Sequence, residues 1–251
     1  MSDYDRGFPR AVPAGAADMA VDAGLRAFML GVYNKVALGL LLSAALAYLT
    51  ASYPPVRDML YVTDGLGHFR FTVLGAAVRF APLAIVLIAM FAMRNPSPRA
   101  AGIYYWLVVS AMGAGLGVWV LTTTGVSLAT TFLITATAFG GLSLYGYTTK
   151  KNLTGLGSFL MIGVFGIILA MLVNMFMHSA MISFIVSVIG VLIFAGLIAY
   201  DTQRLKMTYY ALGGDKSAMG VATSYGALSL YLDFINLFQF LLMFTGGGNR
   251  R

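Results

Sequence analysis

The sequence predicts an all-α membrane protein, a seven-transmembrane helix bundle, from its composition and from the length of its apolar runs. Hydrophobic residues make up 59% of the 251 residues and charged residues only 10%. Soluble domains contain about 45–50% apolar and about 25% charged residues, so much of this surface must face lipid. The apolar runs reach roughly 20 residues, the length of a helix that crosses the hydrocarbon core, whereas barrel strands would be about 10 residues long with alternating polarity.

The elements follow in order along the chain. Residues 1–27 are rich in Asp, Arg, Pro and small residues and are expected to form a disordered tail. The transmembrane domain is expected over residues 28–245, followed by a C-terminal tail over 246–251. Breaks that contain proline, glycine or paired lysines separate the apolar runs. The predicted spans are 30–51, 71–93, 103–121, 129–147, 156–177, 180–200 and 223–244.

The basic residues predict the orientation, because Lys and Arg in short connections stay preferentially on the cytoplasmic side. With the N-terminus inside, the inner segments hold most of them, Lys35 included, and the outer segments hold only Arg57, Arg70, Arg250 and Arg251. This asymmetry favours the N-terminus inside and the C-terminus outside.

The net charge of +7 is not concentrated in an aromatic-rich basic patch, so nucleic acid is not an expected partner. The chain has no cysteine, which excludes thiolate nucleophiles and cysteine metal sites. No cofactor is expected.

Arg79 lies inside the second predicted span, about 12 Å from its start at 1.5 Å per residue. A cation at that depth costs about 2.5–3.5 kcal/mol on insertion scales, so Arg79 is expected to face the bundle interior or an anionic partner. Snorkelling to the interface is the alternative. Pro82 in the same span predicts a local kink. Both residues indicate a polar interior near the middle of the membrane.

The seventh span carries a polar stripe of Ser229, Asp233 and Asn236, whose spacing of four and three places them on one helix face. Hydrogen bonding between helices would account for the serine and the asparagine, but poorly for an ionisable aspartate. Asp233 is therefore expected to have a functional role.

Asp201 closes the sixth span, and its sequence context leaves two interpretations open. Arg204, at i+3, could form a simple interfacial salt bridge with it. Alternatively, the helix continues through Leu205 to Leu212 and leaves Asp201 a turn or more inside the membrane.

If spans six and seven are antiparallel neighbours, Asp201 and Asp233 approach each other. Two carboxylates in such proximity cannot both ionise comfortably, so they titrate as a unit. The pair would form a proton-sensitive gate or a cation site. Calcium suits it, because hard cations take oxygen ligands, and Asn236, Thr202 and Tyr200 offer further oxygens. Arg79 could neutralise the pair when no cation is present.

Three segments resemble a known family. Residues 195–203 (AGLIAYDTQ) and 229–238 (SLYLDFINLF) resemble the two C-terminal signatures of the transmembrane Bax inhibitor motif (Bax inhibitor-1) family, and residues 149–157 resemble its loop before the fifth span. The likeness covers about residues 28–244. It implies a seven-helix bundle with a central helix, and the short tail and compact loops resemble those of a bacterial, inner-membrane member.

The resemblance also implies a function. Bacterial relatives are described as pH-sensitive calcium leak channels gated by an aspartate pair and an arginine of the second helix, roles that map onto Asp201, Asp233 and Arg79. The expected partners are the lipid bilayer, calcium or protons, and another membrane protein.

Two alternatives remain. One is a non-transporting regulator that binds and modulates other membrane proteins such as a protease. The other is an aspartyl intramembrane protease: Tyr200-Asp201 fits its first motif, but Asp233 lacks the upstream glycines, and Gly213-Gly214-Asp215 lies in a polar loop with Leu212 in place of the first glycine. The chain is therefore not expected to be an enzyme.

Overall fold

A computed structural model describes residues 14–64 and 69–246, and this part of the chain has the predicted helical architecture. Seven helical segments within it are long and apolar enough to cross a membrane. The helices are α1 (Ala14–Ser52), α2 (Pro54–Leu60), α3 (Val73–Ala92), α4 (Pro98–Gly115), α5 (Gly117–Thr122), α6 (Gly125–Thr148), α7 (Thr154–Met177), α8 (Ala180–Ala211) and α9 (Lys216–Gly246). The third span consists of α4 and α5 together.

Hydroxyl side chains define where several spans begin. Thr72, Ser97, Thr124 and Ser179 precede α3, α4, α6 and α8, and each side chain accepts a hydrogen bond from a backbone N–H of the first turn. Such a cap contributes about 1 kcal/mol. The spans were predicted from apolar runs, which do not reveal capping residues. The predicted spans therefore start several residues after the observed starts of α4 and α6.

The N-terminal segment differs from its prediction. Helix α1 begins at Ala14, so the second half of the segment expected to be a disordered tail is helical. Alanine and other good helix formers between residues 14 and 27 favour this extension. Gly246, the first residue of the predicted C-terminal tail, belongs to α9. The rest of both predicted tails, residues 1–13 and 247–251, lies outside the described residues.

A small hairpin, which was not predicted, connects the first two spans. After α2, strand β1 (Tyr61–Thr63) pairs antiparallel with β2 (Phe69–Phe71), and Tyr61 faces Phe71 in the register. The Thr72 hydroxyl then donates to the Met59 carbonyl at 2.6 Å. The hairpin therefore fixes the position at which α3 enters the bundle.

Helix α8 is longer than predicted. It continues to Ala211 and ends before Gly213 and Gly214, which adopt positive φ angles of 56° and 89°. Asp201 therefore lies about ten residues, or roughly 15 Å, before the end of the helix. The continuation of the helix through Leu205 to Leu212 that the sequence suggested is therefore present as far as Ala211, and the depth of Asp201 in the membrane remains a prediction.

Helix α9 occupies the centre of the bundle. It packs against α1, α4, α6 and α8, and it has the largest buried share of the seven spans. Glycines permit this close packing, since Gly190 lies against the Phe240 ring and Gly226 against the Leu205 side chain. These two contacts also show that α8 and α9 run antiparallel.

One end of the bundle carries the connections 93–97, 149–153 and 212–215. We call it the basic end, because Arg94, Arg99, Lys150 and Lys151 lie there. It corresponds to the side on which the sequence predicts the cytoplasm. That orientation remains a prediction.

Candidate functional site

Helices α8 and α9 bring Asp201 and Asp233 together inside the bundle. The two residues are only 5% and 6% exposed. The Asp201 carboxyl lies close enough to the Asp233 carboxyl for the two groups to interact directly. Two carboxyl groups can form a hydrogen bond with each other only when one of them holds a proton, because an ionised carboxylate can only accept. The arrangement therefore suits a carboxyl pair that shares a proton.

Ser229 supplies the third polar group of the site. Its hydroxyl donates to Asp201 Oδ2 at 2.5 Å, and it lies one turn before Asp233 on α9. The predicted polar stripe of α9 thus faces α8 at these two positions. Leu230 and Phe234, which directly follow Ser229 and Asp233 in the sequence, are buried within the bundle.

One oxygen of the pair is unsatisfied. Asp233 Oδ2 is buried and has no hydrogen-bond partner among the described residues. Leaving a buried polar atom without a partner costs about 1–3 kcal/mol, and more when the group is charged. A proton or a bound cation would relieve this cost, so the site is chemically incomplete as it stands.

Arg204 is the cation that covers the pair. Its Nη2 atom lies 3.3 Å from Asp201 Oδ1 and donates to Ser229 Oγ at 3.2 Å. Its guanidinium also lies 5.6 Å from the centre of the Tyr200 ring. The Arg204 side chain is 50% exposed, so it separates the buried carboxyls from the solvent side. The Arg204–Asp201 salt bridge considered from the sequence does form, but Asp201 lies inside the bundle.

A cavity of about 290 Å³ lies between α8 and α9 next to this cover. We call it the vestibule. Arg204 and Ser229 form part of its wall, together with Thr208, Tyr225 and Leu232. The vestibule therefore ends at the two side chains that shield Asp201.

The structure does not bring Arg79 to the pair. Within the described residues, its guanidinium lies 5.0 Å from the centre of the Phe71 ring, and its side chain is exposed. Its charge also acts on the nearby Tyr61 hydroxyl, whose pKa burial raises and Arg79 lowers. Because α3 begins at Val73 instead of residue 71, Arg79 is closer to the helix end than predicted. The aromatic hairpin then gives it a local cation–π partner, as snorkelling would require.

Two other expected oxygen ligands, Asn236 and Thr202, form hydrogen bonds away from the aspartate pair. The Asn236 amide donates to the Leu232 carbonyl of its own helix at 2.8 Å. The Thr202 hydroxyl donates to the Ile198 carbonyl at 2.8 Å and to Ser143 at 3.4 Å. The described residues hold no cluster of three or more acidic or histidine side chains suited to a metal ion. In this conformation, a cation would meet chiefly the two carboxyls.

The sequence reasoning misplaced one further charge. Lys35 was counted with the inner connections, but it lies half-buried within α1. Its ammonium donates to Ser224 Oγ of α9 at 2.6 Å and lies 5.9 Å from the centre of the Tyr105 ring. The signal available in the sequence was an isolated lysine among apolar residues, four positions before Gly39 and eight before Ser43. This spacing places all three on the helix face that packs against α9.

Comparison with known proteins agrees with the architecture. The profile of the family described as "Inhibitor of apoptosis-promoting Bax1" matches residues 25–250. A protein of Caulobacter vibrioides is 63% identical, over 98% of this chain and 99% of its own length. A protein of Rickettsia prowazekii is 41% identical, over 92% of each chain. The inner membrane protein YbhL of Escherichia coli is 40% identical, over 91% of this chain and 94% of its own.

The family profile includes both segments that carry the aspartates, and the three relatives match over more than nine-tenths of their own length. The seven apolar helices and the inner-membrane relative together assign the location. The chain belongs to the Bax inhibitor-1 family and is a multi-pass protein of the bacterial inner membrane.

Proposed function

We propose that this protein is a pH-sensitive cation leak channel that passes calcium, with the Asp201–Asp233 pair as its gate. The observation that carries the proposal is the meeting of two buried carboxyls from different helices, one of which has an unsatisfied oxygen. Ionisable groups inside a membrane are costly and commonly mark ion paths or proton relays. A pair that merely joined two helices could be built from uncharged side chains.

The charge of the site suggests how protons control it. With a shared proton, the pair joins α8 to α9, and Arg204 balances the remaining negative charge. Loss of that proton leaves two like charges in contact within a poorly polarisable interior, where their repulsion is strong. Separation of the helices or entry of a cation relieves the repulsion. The leak is therefore expected to increase as the pH rises.

Calcium is the favoured cargo because it is divalent and binds oxygen ligands. A single calcium ion between the two carboxylates neutralises both charges. The vestibule next to Arg204 and Ser229 offers a route from the basic end. Arg79 was expected to be the counter-charge of the aspartate pair. The geometry favours Arg204 in that role.

The described conformation is interpreted as closed. Beyond the pair, Phe234 of α9 is 2% exposed and lies against Phe132 and Phe139 of α6, with ring centres 5.6 and 5.5 Å away. Further along, the Phe240 ring stacks on Phe194 at 5.7 Å. Phe194, Phe234 and Phe240 are buried in the bundle on the far side of the gate, so conduction requires them to move.

Calcium flux into proteoliposomes, followed with a trapped fluorescent indicator between pH 5 and 8, tests the proposal. Wild-type flux should rise with pH, and Asp201→Asn or Asp233→Asn should remove that dependence. Asp58→Asn, which changes an exposed aspartate outside the spans, is the matched control and should behave as wild type. Helicity measured by circular dichroism shows whether each variant is folded.

Two results would contradict the proposal. A wild-type protein that is impermeable to calcium at every pH would favour the non-transporting regulator of other membrane proteins. A pH dependence that survives both substitutions would place the proton sensor elsewhere. Hydrolysis by the pair is a poorer fit to the same geometry, because Arg204 and Ser229 already occupy Asp201 where an aspartyl protease needs a free carboxyl and water.

A further inference from the structure

A second cavity, of about 310 Å³, lies at the basic end, where the connection between α6 and α7 crosses the last turns of α8. We call it the basic cavity. Its lining contains several cationic side chains and no aspartate. The cations are Lys150, Lys151, Arg204 and Lys206.

The connection that forms this cavity is held in place by Gln203 of α8. The Gln203 amide donates to the Lys151 carbonyl at 2.8 Å and accepts from the Leu153 N–H at 2.8 Å. Asn152 Oδ1 accepts from the Thr154 N–H at 2.9 Å, and Leu153 is buried. The backbone positions of the two lysines are therefore fixed, although their side chains are exposed.

The charges of the basic cavity are largely uncompensated. Arg204 pairs with Asp201, whereas Lys150, Lys151 and Lys206 have no carboxylate partner in the part of the chain that the structure describes. Lys206 donates to the Tyr147 carbonyl at 3.0 Å and retains further N–H donors. A general preference for basic residues on the cytoplasmic side explains their presence at this end. It does not explain their convergence on one cavity.

We propose that the basic cavity binds the phosphate of an anionic phospholipid headgroup. Ammonium and guanidinium groups are the donors that phosphate oxygens prefer. Basic pockets between transmembrane helices on the cytoplasmic side are a common site for such lipids. The cavity lies at the first turn of α7, a helix that exposes Leu156, Phe159 and Ile162 along its apolar length. A headgroup at the cavity therefore leaves its acyl chains beside an apolar surface, which a free phosphate ion would not use.

Arg204 connects this site to the aspartate pair. It lines both the basic cavity and the vestibule, and it holds Asp201. A bound phosphate competes with Asp201 for the guanidinium, so the lipid loosens the cover of the gate. This consequence rests on the proposed function, whereas lipid binding itself does not.

The binding test uses the full-length protein in a neutral detergent and short-chain phosphatidylglycerol as the probe. Native mass spectrometry counts bound lipid, with zwitterionic phosphatidylcholine, which has no net charge, as the comparison. The protein should bind phosphatidylglycerol saturably and phosphatidylcholine far more weakly. Lys150→Gln/Lys151→Gln should weaken binding about 30-fold, since each basic side chain near an anionic headgroup contributes roughly fivefold.

Two further variants distinguish a specific lipid-binding site from general electrostatic attraction of the lipid to the basic end. Arg94→Gln/Arg99→Gln removes the same charge from the connection before α4 and from the first turn of α4, at the basic end but outside the cavity lining, and should change binding less than about threefold. Gln203→Leu removes the hydrogen bonds that hold the connection while keeping every charge, and should weaken binding. Circular dichroism and thermal unfolding verify the fold of each variant.

Three outcomes would overturn the proposal. Equal losses in the two double variants would mean diffuse electrostatic attraction without a site. Equal binding of the two lipids would remove the anion selectivity. Inorganic phosphate that displaces phosphatidylglycerol at equal concentration would indicate a site for free anions. Calcium flux in vesicles with and without phosphatidylglycerol then tests the link through Arg204, so that lipid binding without a change in flux contradicts only that link.

Discussion

Phe234 offers a direct test of the closed gate, because its ring fills the bundle next to the aspartate pair. Phe234→Leu keeps the site apolar and nearly filled but removes the aromatic contacts with Phe132 and Phe139. Each aromatic pair contributes about 0.5–1.5 kcal/mol beyond burial, so the closed state loses about 1–3 kcal/mol. If the open state lacks these contacts, the leak under acidic conditions increases by about 5- to 150-fold.

The assay for Phe234→Leu is calcium flux into proteoliposomes at pH 5.5, where the wild-type gate is expected to be closed. Phe165→Leu is the matched control, because Phe165 is exposed on α7 and its replacement should leave the flux unchanged. A Phe234→Leu variant that is as impermeable to calcium as the wild type would refute the closed-gate reasoning. An equal increase in the Phe165 variant would instead indicate general damage to the bundle.

Two further predictions concern packing and charge around the pair. Gly146→Ala should lower the free energy of unfolding in detergent by about 1–3 kcal/mol, because the new methyl group meets the α8 backbone. Gly140→Ala has open space and should leave the free energy of unfolding unchanged or raise it by up to about 1 kcal/mol, because alanine favours a helix more than glycine does. Equal effects of the two substitutions would contradict this packing argument. Arg204→Gln should raise the acidic calcium flux about fivefold, since a half-exposed ion pair with Asp201 contributes about 1 kcal/mol. Arg79→Gln should leave that flux unchanged, and the reverse result would restore Arg79 as the counter-charge.

The number of spans could be predicted from the sequence because bilayer thickness sets the length of an apolar run. Every predicted span overlaps one of the observed spanning helices. The boundaries were less accurate, since apolarity does not register the caps at Ser97 and Thr124. Helix α8 also continues through polar residues: the Thr208 hydroxyl, for example, bonds to the Arg204 carbonyl within the helix. A span predicted from an apolar run therefore ends where such polar residues begin, although the helix continues.

The partner of Arg79 could not be predicted, because it depends on the hairpin between the first two spans. Phe71 precedes α3, so no helical spacing connects its ring with the arginine. The hairpin brings the two together through the pairing of Tyr61 with Phe71. The position of the Phe71 ring is set by two three-residue strands and the short helix α2. None of these elements forms an apolar run long enough to be recognised in the sequence.

The two aspartates could be selected from the sequence as candidate site residues, because an ionisable side chain inside a span is energetically costly in any orientation. The i+3 spacing also allowed the Arg204–Asp201 salt bridge to be considered from the sequence. The position of this ion pair opposite Ser229 and Asp233 could not be predicted, because it follows from the antiparallel register of α8 and α9. In that register, α8 supplies one acid together with its own cation, Arg204, and α9 supplies only an acid. The three groups carry one net negative charge when all are ionised. A single proton therefore neutralises the site, whereas a calcium ion can replace both the proton and the arginine.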